Sequence, residues 1–227
     1  MSESEPPLSR LYAVLSECFK HPDETFHEDV LEGRLDEEID AIEAGLDFEL
    51  APRPDPADVP ESAAAFDNEY ISLFEAFEQP YAPAVESAYK EWYDGAGSDG
   101  LLDGPPAADM RDRFETIGAE PPSAYMPDHL ALLLEYASIL VANGTERQHR
   151  VFVDEHLDWL PAFRRRVENA AAEAPFHRAA VAMTDEAIAT VRESVDVAAP
   201  SDEEIEAMMN RVDEGTEGVP DEKHFRD

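Results

Sequence analysis

Two histidines at helical spacing are the first residues in this chain whose types and positions suggest metal chemistry. His149 and His156 are seven residues apart, so a continuous helix places them two turns apart on one face. Imidazole nitrogens are common zinc ligands, but a zinc site needs at least three protein ligands held in place. The sequence shows no third ligand at a fixed spacing. We therefore predict no metal site, and an enzyme that uses these histidines is an alternative that rests on their spacing alone.

A glycine-rich segment, Gly95-Ala-Gly97-Ser-Asp-Gly100, matches the G-x-G-x-x-G pattern of dinucleotide-binding proteins. That chemistry needs a buried strand before the glycines and a helix after them, whose N-terminus meets the pyrophosphate. The flanks here, Glu-Trp-Tyr-Asp and Leu-Leu-Asp-Gly-Pro-Pro, supply neither element. The chain also lacks the phosphate-loop, zinc-protease and serine-hydrolase motifs. The sequence predicts no cofactor site, no catalytic residues and no enzymatic activity.

Pro127, Asp128 and His129 begin the most apolar segment of the chain and combine a helix start with an acid and an imidazole. Pro127 fits the first helical position, where its missing N–H costs nothing. Asp128 then either stabilises the positive end of the helix dipole or holds an arginine of a partner through two parallel hydrogen bonds. The dipole disfavours a charged His129, so its ring is predicted to be neutral and to serve either a partner or the nearby backbone.

Acidic residues dominate the composition: 53 Asp+Glu against 17 Lys+Arg give a formal charge of −36. This balance is typical of a cytosolic protein from a salt-accumulating organism, in which surface acids maintain solubility. The alternative is an acidic surface for a basic partner. Nucleic acid is excluded as a partner because the chain has no basic patch to neutralise phosphates. The only cationic run, Arg164–Arg166, is predicted to lie on one exposed turn.

A single cysteine, Cys18, excludes an intramolecular disulfide and any site made of several cysteines. It lies in line with the apolar residues of the first predicted helix and is expected to be buried. The N-terminal residues lack the basic start and apolar core of a secretory signal, and no apolar stretch is long enough to span a bilayer. We expect a cytoplasmic protein without stable membrane insertion.

Apolar residues recur at three- and four-residue intervals along nearly the whole chain, which predicts an all-α globular bundle of about nine or ten helices in two lobes. Residues 1–199 form the predicted helical domain. Prolines and glycines within it indicate a linker and two hinge loops: 51–60, 78–106 and 119–127. Gly118 is expected to end a helix. The acidic residues 200–227 are predicted to be a mobile tail with one or two weak helical turns.

Three groups of residues, taken in order, resemble the TorD/DmsD/NarJ family of chaperones for redox-enzyme maturation. The first is Glu69-Tyr70-Ile-Ser-Leu73-Phe74 with Glu86-Ser87-Ala-Tyr89, and the second is Pro127-Asp128-His129-Leu130 with Leu134-Glu135-Tyr136. The third comprises Phe152, His156, Leu157, Trp159 and Phe163, followed by Phe176-His177-Arg178. Two positions depart from the family pattern, since Met126 stands where many relatives have Glu and His177 where Tyr is common.

The resemblance implies a helical, cofactor-free chaperone, monomeric or homodimeric. Such a protein binds the apo catalytic subunit of a molybdopterin-dependent reductase of the dimethyl sulfoxide reductase family and assists cofactor insertion before export. Many members recognise the twin-arginine leader of the client, whereas the nitrate-reductase branch acts on the enzyme body. The alternative here is a leader-independent assembly factor of that kind, or a helical regulatory or interaction protein, for a non-exported respiratory reductase. The implied client-binding residues are Pro127, Asp128, His129, Tyr81, Glu86, Tyr89, Trp92 and Tyr125.

Recognition of a leader needs an acid for the arginines and an apolar groove for the hydrophobic stretch that follows them. In molar salt the screening length falls to ~3 Å, which weakens surface ion pairs, whereas hydrophobic burial is not weakened by salt. The groove is therefore expected to carry most of the affinity. Its candidate wall comprises Tyr70, Phe74, Tyr81, Tyr89, Trp92 and Tyr125, and core packing is the alternative for Tyr70 and Phe74. With Met126 in place of the usual acid, the arginine partner is either Asp128 or another carboxylate.

Overall fold

The computed structural model describes residues 5–75, 82–91, 102–170 and 172–216, and this part of the chain contains ten α-helices. They are α1 (Pro7–Glu17), α2 (Glu24–Leu31), α3 (Arg34–Glu43), α4 (Ala63–Phe74), α5 (Pro105–Thr116), α6 (Leu130–Asn143), α7 (Glu146–His156), α8 (Leu160–Asn169), α9 (Pro175–Ser194) and α10 (Asp202–Thr216). Two 3-10 turns, Pro56–Asp58 and Glu86–Ala88, lie between them. These same residues form no strand beyond one isolated bridge, so the predicted all-α class is confirmed.

Helix α6 is buried along most of its length and pairs extensively with α1 at the centre of the molecule. Leu11, Tyr12 and Leu15 of α1 are fully buried at this contact, and Cys18 just beyond α1 is 1% exposed, as predicted. The aromatic side chains of α4, α8 and α9 complete the same core. None of the helices described has the length and apolar character needed to cross a bilayer.

Local sequence signals set several helix ends. Asp23 caps α2 by accepting a hydrogen bond from the Phe26 N–H at 2.8 Å, as short polar side chains do at N-caps. Gly118 adopts a φ of 71° after α5, and the N–H of the following Ala119 donates to the carbonyl of Phe114 at 3.0 Å. This is a Schellman arrangement, which favours glycine because only glycine adopts positive φ without strain. The predicted helix end at Gly118 is therefore confirmed.

The start of α6 differs from the prediction that Pro127 occupies its first position. The helix begins at Leu130, and His129 is its N-cap. The reason lies outside the local sequence: the Asp128 carbonyl and the Leu130 N–H are bonded to another segment of backbone. Asp128 therefore precedes the helix and does not interact with its dipole from within the first turn.

Helix α10 also differs from the prediction of one or two helical turns, because it extends over 15 residues and packs against α8. Arg166, predicted to be exposed with its two neighbours, is only 2% exposed and faces α10. An apolar stripe and a buried cation stabilise a helix whose many acids had suggested a mobile tail.

Candidate functional site

Two backbone segments that are far apart in sequence meet beside the start of α6. The Glu86 N–H donates to the Asp128 carbonyl at 3.1 Å, and the Leu130 N–H donates to the Ala84 carbonyl at 2.9 Å. The pairing is a single antiparallel bridge. We call residues 84–88 and 127–130 the junction. It joins two of the three sequence groups that carry the family resemblance, although nothing in their spacing predicted this contact.

Asp128 is the anchor of the junction and is fully buried. Its Oδ2 accepts hydrogen bonds from the Ser87 N–H at 2.7 Å and from the Ser87 hydroxyl at 2.5 Å. Burial, reinforced by the nearby Glu86 carboxylate and opposed by the Ser87 hydrogen bonds, raises the pKa of Asp128 from 3.8 to about 6. In this conformation the carboxylate holds the 86–88 turn and has no surface that an arginine could reach from solvent.

His129 links the junction to two other elements through both ring nitrogens. Its Nδ1 accepts from the Ala131 N–H at 3.2 Å, so Nε2 carries the proton and donates to the Tyr70 hydroxyl oxygen at 3.1 Å. The Tyr70 hydroxyl in turn donates to the Phe19 carbonyl at 3.0 Å. Burial, together with the positive charge on His21, lowers the pKa of His129 to about 3. The ring is thus neutral, as predicted, and bonds to the adjacent backbone in the manner of a core histidine.

Removal of the Tyr70 hydroxyl tests this chain of hydrogen bonds. Tyr70→Phe leaves the His129 N–H and the Phe19 carbonyl without a buried partner, so we expect the free energy of unfolding to fall by about 2 kcal/mol. Tyr125→Phe is the matched control: the Tyr125 hydroxyl accepts from the His21 N–H at 2.8 Å, but water replaces it at this half-buried position, and a loss below about 0.5 kcal/mol is expected. Urea denaturation of both variants measures the difference. Equal losses would show that the hydrogen bonds of the Tyr70 hydroxyl contribute no stability.

Glu86 and His156 connect the junction to α5 and α7. The Glu86 side chain is 1% exposed, and its Oε2 lies 2.8 Å from Nδ1 of His156. The other ring nitrogen of His156 lies 2.9 Å from Oδ2 of Asp109, while Lys90 pairs with Oε1 of Glu86 at 2.9 Å. The His156 ring stacks on Phe152, with ring centroids 4.8 Å apart, and it also pairs with the buried Glu86 carboxylate, a contact that the sequence did not reveal.

Tyr89, a predicted wall residue of the client groove, lies in the core. Its ring is fully buried and stacks on Trp159 at 4.9 Å between centroids. Tyr70 and Phe74 are buried as well, in agreement with the core-packing alternative. Tyr81 and Trp92, the other two aromatic candidates, lie outside the described residues.

The open surface beside the junction is formed by the segment that precedes it. A cavity of about 670 Å³ lies between the C-terminal end of α5 and the segment 118–127. Tyr125 and Met126 are half-buried in its wall, and Pro127 lines its inner end. Two exposed acids, Glu115 and Glu120, also line it. Of the six predicted binding residues that lie in the described part of the chain, Tyr125 and Pro127 line this cavity.

His21 is a residue of this region that the sequence did not predict. Its Nδ1 lies 2.7 Å from Asp67 and its Nε2 lies 2.8 Å from Glu75, so the ring bridges two partly exposed carboxylates. Partial burial lowers the pKa of His21, but hydrogen bonds and charge from both carboxylates outweigh that effect and raise it. The ring packs on Tyr70 at 4.5 Å between centroids. Because its partners come from a distant helix, no sequence spacing could have indicated this cluster.

The two histidines at helical spacing have separate partners. His149 shares a hydrogen bond of 2.8 Å with the Tyr12 hydroxyl, whereas His156 is bonded to Glu86 and Asp109. Across the described part of the chain, no group of three or more His, Cys, Asp or Glu side chains is arranged to hold a metal ion. The two histidines therefore lie on one helix but bond to different parts of the chain.

Comparison with protein families gives one match: residues 32–168 fit the family described as nitrate reductase delta subunit. The matched stretch runs from the start of α3 to the last turn of α8 and includes both segments of the junction. A search of curated proteins found no match.

Proposed function

Since the chain belongs to the nitrate reductase delta subunit family, whose members are maturation chaperones for molybdenum enzymes, we propose that it is a cytoplasmic chaperone for the apo catalytic subunit of a molybdopterin-dependent reductase. The client is a member of the dimethyl sulfoxide reductase family, and the chaperone holds it for cofactor insertion before export. The chaperone performs no covalent chemistry. The observation that carries this proposal is the junction itself, which joins the two resembling segments beside an open cavity.

The cavity suits a peptide that carries both positive charge and apolar side chains. Glu115 and Glu120 are exposed at its rim and offer carboxylates to the paired arginines of a leader. Tyr125, Met126 and Pro127 supply the apolar surface for the stretch that follows. Because Asp128 is fully buried, we propose these rim acids as the arginine partners, with the junction as their rigid support.

A twin-arginine leader peptide tests the proposal. We expect the leader of the molybdenum reductase encoded nearest to this gene to bind saturably in molar KCl, and to bind at least about tenfold more weakly when both arginines are alanine. Glu115→Gln combined with Glu120→Gln should weaken the binding of the intact peptide but not that of the alanine peptide. Glu37→Gln combined with Glu38→Gln on α3 changes the net charge by the same amount and is expected to have no effect on peptide binding.

The alternative is an assembly factor that acts on the enzyme body without a leader. It is favoured by one observation, the family match, since that family is described by a subunit of nitrate reductase. If neither peptide binds but the purified apo catalytic subunit does, this alternative is the correct one. If neither the peptides nor the apo subunit binds, the chaperone proposal fails.

A further inference from the structure

Helix α10 is held on the molecule by a narrow apolar stripe. Within the helix, Ile205 and Val212 are the apolar residues with less than a tenth of their surface exposed, at 6% and 0%, and Met208 and Met209 between them are half-buried. Their spacing places all four on one face. The opposite face carries acids and is exposed to solvent. Helix α10 is thus an acidic amphipathic helix whose apolar face packs on the rest of the molecule.

The surface beneath α10 is complementary to it in charge. The Arg166 guanidinium, 2% exposed, donates to the Met209 carbonyl at 3.0 Å and to Asp213 at 2.9 Å. Its neighbour Arg165 pairs with Asp202 at the start of α10 at 2.7 Å. In a chain of net charge −36, two residues of its only arginine run are directed at this one helix.

The surface also includes part of the junction. Helix α10 lies against both α8 and the 86–88 turn, and Glu86, Ser87 and Ala88 are all fully buried with α10 in place. If α10 were displaced, one side of this turn would become accessible. The helix therefore covers a part of the junction that does not line the cavity.

The segment that connects α9 to α10 is bonded to the rest of the molecule independently of α10. Arg150 donates to the carbonyls of Val195 and Asp196, at 3.0 and 3.1 Å, and Arg192 donates to the Ala198 carbonyl at 2.5 Å. The chain is thus anchored up to residue 198. Beyond it, Ser201 and Glu204 form a local cap that travels with α10.

We propose that the face formed by α8 and the 86–88 turn is a docking surface for an acidic amphipathic helix of a partner protein, and that α10 occupies it in cis and competes with that partner. The docking surface recognises two features of the partner helix: a stripe of apolar side chains at i, i+3, i+4 and i+7, and a carboxylate that pairs with the buried Arg166. It is separate from the cavity proposed for a leader, so it stands whether or not the leader binds there.

A synthetic peptide of residues 200–216 is the probe. It is added to the full-length Val212→Asp variant, in which a buried charge releases the resident helix, in molar KCl. We expect saturable binding to this variant and binding at least about tenfold weaker to the wild type. Ala207→Asp places the same charge on the exposed face of α10 and should behave as the wild type. Failure of the peptide to bind a Val212→Asp variant with native circular dichroism would overturn the proposal.

Variants of the peptide test which of its side chains the docking surface recognises, and they leave the fold of the protein unchanged. Asp213→Lys in the peptide removes the carboxylate bonded to the buried Arg166 and places a like charge beside it, so binding is expected to weaken at least about tenfold. Glu214→Lys makes the same charge change one residue further along, at an exposed position, and should leave binding unchanged. Equal binding by the two peptides would overturn the proposed role of Arg166.

Hydrogen exchange of the wild-type protein shows whether α10 opens locally or only when the whole protein unfolds. We expect the amides of α10 to exchange at least about 100-fold faster than those of α9, through a local opening that leaves the rest folded. In Val212→Asp the Ser87 amide should also lose protection, since its turn becomes uncovered. If α10 exchanges only together with α9, the helix is a fixed part of the fold and the proposal is wrong.

Discussion

At pH 7, Asp128→Asn is expected to raise the free energy of unfolding by about 3 kcal/mol, since the pKa of Asp128 lies about two units above its ordinary value and each unit corresponds to about 1.4 kcal/mol. The asparagine oxygen keeps the position that accepts from the Ser87 N–H and hydroxyl. Its amide nitrogen takes the place of Oδ1, which has no hydrogen-bond partner among the described residues, and it is attracted by the nearby Glu86 carboxylate.

The sign of the pH dependence follows from which state binds more protons. With a folded pKa of about 6 and an ordinary value of 3.8, the folded protein holds a proton on Asp128 between these values and the unfolded chain does not. Acidification from pH 7 to pH 4 therefore stabilises the wild type through this group, and the advantage of Asp128→Asn should vanish over the same interval. His129, with its pKa of about 3, destabilises both proteins equally as the pH falls, so it cancels in the difference.

Urea denaturation of both proteins at pH 7 and pH 4 measures this difference. Asp128→Ala is the control, because it also lacks the charge but leaves two Ser87 donors unsatisfied; it should be less stable than Asp128→Asn by about 3 kcal/mol at either pH. If the difference in the free energy of unfolding between Asp128→Asn and the wild type is the same at pH 7 and pH 4, burial does not raise the pKa of Asp128.

Asp128→Asn also tests whether the buried carboxylate takes part in client binding. A group that costs stability yet is present at a site is typical of residues selected for activity. If Asp128→Asn folds more stably but binds the apo catalytic subunit at least about tenfold more weakly, the carboxylate acts on the client after the junction opens. If binding is unchanged, Asp128 holds the 86–88 turn and nothing more.

The features that the sequence predicted are those decided by neighbouring residues. Apolar side chains at three- and four-residue intervals are sufficient to indicate helices, and this pattern gave the all-α class correctly; the described residues form ten helices, against the nine or ten predicted. The helix end at Gly118 was predictable for the same reason, since a positive φ selects glycine locally. The burial of Cys18 followed from its place in the stripe of α1.

The features that the sequence did not predict depend on distant partners. Pro127 is a good local signal for a helix start, but the backbone of residues 128–130 is already bonded to residues 84–86, and the helix begins after that pairing. The charge on Glu86 is buried because His156 and Lys90 approach it from other parts of the chain. The segment 200–216 carries many acids, and it forms a docked helix because its apolar stripe packs on the core and the distant Arg166 pairs with Asp213. Tertiary contacts override local preference in each case.

His156→Ala is expected to lower the free energy of unfolding by about 3–5 kcal/mol, because it leaves a buried carboxylate without one of its partners. Glu86 is 1% exposed at its side chain and lies 2.8 Å from Nδ1 of the imidazole. Lys90 remains as a partner of Glu86, but the lost imidazole also leaves a cavity against Phe152.

Asp109→Asn provides the matched control, because it changes the other partner of the same ring. The Asp109 side chain is 48% exposed, so water compensates for the lost interaction and the expected loss is below about 1 kcal/mol. Urea denaturation in molar KCl compares the two variants, and hydrogen exchange of the Ser87 amide reports whether the 86–88 turn loosens in His156→Ala alone. Similar losses for both variants would show that the buried Glu86–His156 contact does not stabilise the junction. A large loss in His156→Ala alone would show that this contact, formed between α7 and the 86–88 turn, fixes the turn that forms part of the proposed α10 docking face.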